Sequence, residues 1–69
     1  MKNFTENHEG GWGEHDFIFE TDVDAARAAE ALYEAGYMVG GDAPRVTIAI
    51  DAIGRKTDIK LAREIIWSL

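Results

Sequence analysis

The chain lacks cysteine altogether and has a single proline. Without cysteine there is no disulfide and no thiolate to bind zinc, so a reducing cytoplasm is the expected setting. Serine is nearly as scarce, with Ser68 alone. That leaves no nucleophile, base and orienting group to assemble, and the carboxylates lie in polar, like-charged sequence that reads as solvated. A non-enzymatic protein is expected. No stretch approaches the roughly 18 apolar residues of a membrane helix, and residues 1–10 show no apolar run of the signal-peptide kind. Positive charge is missing over one region: Glu6 to Asp24 holds seven acids and no Lys or Arg.

What is present is a 69-residue chain, 46% apolar, with net charge −6. That length suits one domain with a thin core, and that apolar content argues against disorder. The charge is unevenly spread. Residues 1–44 carry ten acids against Lys2 and Arg27, whereas residues 45–69 carry three acids against Arg45, Arg55, Lys56, Lys60 and Arg63. The first part therefore has a negative potential that repels nucleic acid and attracts a basic protein.

Local patterns place the elements. Phe4 and Trp12 flank Gly10-Gly11, which suggests a hairpin whose first arm covers about 3–8; a flexible arm over 1–13 is the alternative. His15–Glu20 alternates as a strand with His15, Phe17 and Phe19 on the core face, leaving Glu14, Asp16, Ile18 and Glu20 opposite. Thr21 is a good N-cap for a helix running to Ala35, with Asp22 and Asp24 in its first turn and Gly36 as the C′ residue. Val23, Ala26, Ala28, Ala29 and Leu32 are its expected apolar face. Tyr37–Val39 is a short strand or an extended arm, and residues 40–44 are a loop. Arg45–Asp51 is a second strong strand, with Val46, Ile48 and Ile50 on one face. After a break at Gly54-Arg55-Lys56, Thr57 is the expected cap of a final helix. Its stripe is Ile59, Ala62, Ile66 and Leu69, widened by Leu61 and Ile65, so the last residue is expected to be docked.

The fold class is α+β: one small sheet of three to five strands with two helices packed on one face, in the order (β)β-α-(β)-β-α. A right-handed crossover makes the strands at 15–20 and 45–51 parallel; a strand at 37–39 would instead pair with 45–51 as a hairpin and give a mixed or antiparallel sheet.

Three stretches carry residue types suited to a chemical site, and each has a simpler explanation. His8-Glu9 and Glu14-His15 bracket the glycine-rich turn and carry zinc, copper or nickel ligand types. Their spacing matches no metal motif, so exposed loop residues, with no metal and no cofactor, are the expectation. Gly10–Gly13 and Gly40-Gly41 match no phosphate-binding loop and are flanked by acids, so they read as turns. The acids Glu14, Asp16 and Glu20 share a strand face, and Asp22 and Asp24 continue beyond it. Same-face strand positions recur every 6.6–6.8 Å or so. DNA advances about 3.4 Å per phosphate. A row of carboxylates thus resembles a phosphate row to a basic groove. A solubilising surface is the plain alternative, but such surfaces usually mix signs. Trp12, Tyr33, Tyr37 and Trp67 exceed what a thin core holds, so they are interface anchors or core-edge caps. Glu30, Tyr33 and Glu34 make a second acidic-aromatic patch.

Residues 15–37 resemble the strand-helix opening of the ribonuclease E regulator B family: an aromatic strand, a Thr cap, an alanine-rich helix and a Gly36-Tyr37 exit. That resemblance implies an acidic protein that inhibits an RNA-degrading enzyme by binding it. The final helix departs from that pattern. As a class, a small, acidic, cysteine-free chain is similar to phage and mobile-element inhibitors of the anti-CRISPR kind. The expectation is a protein that binds and inhibits a nucleic-acid-processing complex, in the host cytoplasm if phage-encoded. It would pair Glu14, Asp16, Glu20, Asp22, Asp24, Glu30, Tyr33 and Glu34 with a basic partner surface, as a monomer or weak homodimer, with no direct nucleic acid and no membrane. The alternative is a ferredoxin-like regulatory module that dimerises through a sheet edge and binds a small ligand. An antitoxin-like or structural partner is a third reading.

Overall fold

A computed structural model describes residues 3–8, 13–49 and 55–69, with the backbone alone for 55–58. The elements are β1 (Phe4–Asn7), β2 (Glu14–Phe19), α1 (Asp22–Glu34), β3 (Met38–Gly40), β4 (Arg45–Ala49) and α2 (Arg55–Trp67). The strands form one sheet in the order β1-β2-β4-β3, with every neighbouring pair antiparallel. The α+β class and the element order follow the sequence reading. The turn at Gly10-Gly11, the Trp12 anchor, and Ile50 and Asp51 lie outside the described residues.

Of the two pairings left open by the sequence, the antiparallel one holds. β2 runs antiparallel to β4, with Asp16 opposite Thr47 and Phe17 opposite Val46. The short segment after α1 is the reason. It forms β3, which pairs with β4 as a hairpin, Val39 opposite Ile48. Because β2 and β3 both oppose β4, they run parallel to each other. The crossover through α1 therefore joins β2 to β3, and β4 inserts between them as in a split β-α-β unit.

Thr21 caps α1: its Oγ1 accepts the Asp24 amide at 3.1 Å. The C-terminal end closes as a Schellman motif. The Tyr37 amide donates to the Leu32 carbonyl at 3.1 Å and the Gly36 amide to the Tyr33 carbonyl at 3.0 Å. Gly36 takes φ +102°, a conformation costly for a side-chain-bearing residue.

Both helices cover one face of the sheet. Phe17, Phe19, Val46 and Ile48 are buried there beneath Ala25, Ala28 and Leu32 of α1 and Ala62 and Ile66 of α2. Phe4 packs on Phe19 and Phe17 with ring centroids 5.5 and 5.7 Å apart. The α1 face differs from the expected one. Val23 and Ala26 are exposed, and Ala25 takes their place. Leu32 sets the phase, because Ala25, Ala28, Ala29 and Leu32 are spaced at i, i+3, i+4 and i+7. In α2 the stripe of Ile59, Ala62, Ile65 and Ile66 faces inward, but Leu61 and Leu69 are exposed. The helix starts at Arg55, so Thr57 lies within its first turn instead of capping it.

Candidate functional site

The expected acidic row comes apart in three dimensions. Glu14 opens β2 and is exposed, whereas Glu20 follows the strand's last residue. Six residue steps separate the two, about 20 Å. Asp16 between them is buried on the helix-free face of the sheet. The Thr47 hydroxyl donates to its Oδ1 at 2.7 Å, and Arg45 Nε stands 4.0 Å from its Oδ2. Asp16 is therefore a satisfied internal carboxylate, because its antiparallel partner Thr47 carries a hydroxyl on the same face.

The other predicted residues remain at the surface. Glu20 and Asp22 are exposed at the β2–α1 junction, with Asp24 half-buried beside them. Glu30, Tyr33 and Glu34 project from the outer face of α1, where Tyr33 is 72% exposed. Their i, i+3 and i+4 spacing makes them neighbours. Val23 adds a second exposed apolar side chain to this helix. Among the described residues, Glu14, Glu20, Asp22, Asp24, Glu30 and Glu34 have no ion-pair partner.

A second cluster forms where β1 and β2 meet α2. The β1–β2 register, Asn7 opposite Asp16, places His8 opposite His15 by extension of the ladder. It also puts Glu6 on the same face, diagonal to His15. His15 Nε2 lies 2.8 Å from Glu6 Oε1, and the two Nδ1 atoms of His8 and His15 are 3.2 Å apart. From α2, Arg63 donates to Glu6 through both Nε and Nη2, each bond at 2.7 Å. Arg63 holds the Glu6 carboxyl below its ordinary value; burial opposes this less strongly, and the His15 bond adds a still smaller lowering. Glu6 in turn raises the Arg63 guanidinium further above its usual value.

An ionised Glu6 can only accept, so His15 carries its proton on Nε2 and a neutral ring keeps a lone pair on Nδ1. That nitrogen faces His8 Nδ1, and the two share one hydrogen bond. The His15 ring is fixed further by edge-on packing against Phe17, centroids 5.0 Å apart, and is only 6% exposed. Beside the histidines opens a cleft of about 590 Å³ lined by Ile59, Lys60, Arg63, Glu64 and Trp67.

The sequence reading took these histidines as exposed loop residues; instead His15 is buried in β2, His8 lies against it across the hairpin, and the carboxylate that reaches His15 is Glu6. Glu14 points to the opposite face of β2, and Glu9 lies outside the described residues. Glu6 was identifiable by carrying the alternation Phe4, Glu6, His8 back along β1. Arg63 was not, because its reach to Glu6 spans 57 residues. Among the described residues, no three His, Asp or Glu side chains form a group that could hold a metal ion by themselves. No described helix is long and apolar enough to cross a membrane. Compared with protein-family models, with curated proteins and with solved structures, the chain matches none.

Proposed function

We propose that this is a non-enzymatic binding protein that docks an acidic surface onto a basic protein and so blocks a nucleic-acid-processing complex, in the anti-CRISPR manner. One observation supports this most. The outer face of α1 presents Glu30 and Glu34 without internal ion pairs, next to the exposed ring of Tyr33. Unpaired carboxylates keep their full charge for a partner, and an exposed Tyr is a favoured interface anchor. Glu20, Asp22 and Asp24 extend the negative field toward the start of the helix. Asp16 has no part in this surface because it is buried.

The test is affinity capture from a bacterial lysate at about 0.1 M and 0.5 M salt, a range over which exposed charge attraction is progressively screened. The wild-type chain is expected to retain a nucleic-acid-binding protein at low salt and release it at high salt. The double variant Glu30→Lys, Glu34→Lys is expected to retain none. Equal capture by both proteins would overturn the reading.

The cleft favours a second reading, a regulatory module that binds a small ligand, since its volume is in the range of ligand pockets. That reading adds dimerisation through an edge strand, β1 or β3. A strictly monomeric species in sedimentation at high concentration would remove it.

A further inference from the structure

We propose that His8 and His15 form a two-nitrogen chelate for a divalent late transition metal of the zinc, nickel or copper type, with Glu6 and Arg63 as positioning residues. The inference is independent of the acidic docking surface, which lies on other residues.

The geometry of the pair is that of two ligands on one ion. Nitrogens about 2.0–2.1 Å from a tetrahedral zinc stand roughly 3.3–3.4 Å apart. The two Nδ1 atoms are 3.2 Å apart, so small ring rotations admit an ion in place of the proton they share. The rings are tilted by 41° with centroids 5.4 Å apart, so the two Nδ1 atoms lie on the facing edges of the rings.

The surroundings are those of a metal-binding histidine. A ligating imidazole commonly donates its other N–H to a carboxylate, which fixes the tautomer and raises the basicity of the ligating nitrogen. His15 does this through Nε2 to Glu6 at 2.8 Å, and the Arg63 fork holds Glu6 in place. The result is a chain from Arg63 to Glu6 to His15, ending on a nitrogen lone pair directed at His8. His15 is anchored by burial while His8 sits on the exposed side, so an ion has a route in.

Two nitrogens leave coordination positions to be filled by water or by a donor from another molecule. The adjoining cleft supplies the space, and Lys60 and Glu64 on its wall carry opposite charges. Imidazole donors select late transition metals over magnesium and calcium, which prefer oxygen.

The experiment is isothermal titration of the untagged full chain with zinc, nickel and magnesium chlorides, alongside electron paramagnetic resonance of the copper(II) form. One equivalent of zinc or nickel is expected to bind, magnesium is expected to give no heat, and the copper spectrum is expected to show nitrogen donors. His8→Ala changes an exposed residue, so it should keep the wild-type circular dichroism while losing the zinc site. Glu6→Gln should retain the site with about 10–100-fold weaker zinc affinity, the usual effect of removing such a carboxylate. Absence of zinc binding in the wild type, or equal affinity in His8→Ala, would overturn the proposal.

Discussion

The two faces of the sheet treat a carboxylate in different ways. On the helix-free face, Asp16 is held by its cross-strand neighbours, Thr47 directly and Arg45 at longer range. On the helix-covered face, Glu6 is held across tertiary structure by Arg63 of α2 and by His15. The outer acids of α1 have neither kind of partner. Residues of one chemical type thus end as a local strut, a tertiary clasp and a free surface charge. Neighbours decide which, so an acidic segment is not a site until its internal partners have been subtracted.

The covered face carries the stability, and truncating it should have the largest effect. Phe17 is fully buried between the helices and the Phe4 ring. Phe17→Ala is expected to cost about 3–5 kcal/mol. A domain of this size has only a few kcal/mol to lose. Chemical denaturation should therefore show no cooperative transition; a wild-type midpoint would mean that the covered face is not the core.

Next in size is the β3–β4 connection. Gly41 has φ +91°, and a Cβ there would come 3.0 Å from the Arg45 carbonyl oxygen and the Thr47 hydroxyl. Gly41→Ala is expected to destabilise by about 1–3 kcal/mol, measured as a lowered denaturation midpoint. On the open face, Thr47→Val leaves the buried Asp16 without its 2.7 Å donor. A loss of about 1–3 kcal/mol is expected, and an unchanged midpoint would show that water replaces the hydroxyl.

Acid separates the Glu6 clasp from the rest. The folded state holds Glu6 below its ordinary value of 4.5, mainly through Arg63. A depressed carboxyl stabilises the fold at pH values above its unfolded-state value and stops doing so as pH falls through the folded-state value. The stability difference between wild type and Glu6→Gln should therefore be full near neutrality and shrink as pH falls from about 4.5 downward. A difference independent of pH would assign the effect to packing. The smallest effect belongs to the outer face of α1: Glu30→Lys, Glu34→Lys should change stability by no more than about 0.5 kcal/mol per site.

The elements were legible because their signals are local. The Thr21 cap, the Gly36 exit and the Phe17/Phe19 alternation each depend on a few adjacent residues. The phase of α1 was less so, since five small or aliphatic residues offered two faces, and only Leu32 seated against the sheet separates them. The direction of β4 was open as well, because it depends on whether three residues after α1 pair as a strand.

Sequence alone determined the class of the fold, the placing of Phe17 and Phe19 on the core face, and the concentration of acid in the first part of the chain. Periodicity, capping and charge are properties of neighbouring residues, so they can be read without coordinates. Tertiary structure decided that β4 lies between β2 and β3, that Asp16 is internal, and that Arg63 reaches Glu6. Those outcomes rest on contacts between residues far apart in the chain, and such contacts come into being only when the sheet and its two helices close on one core.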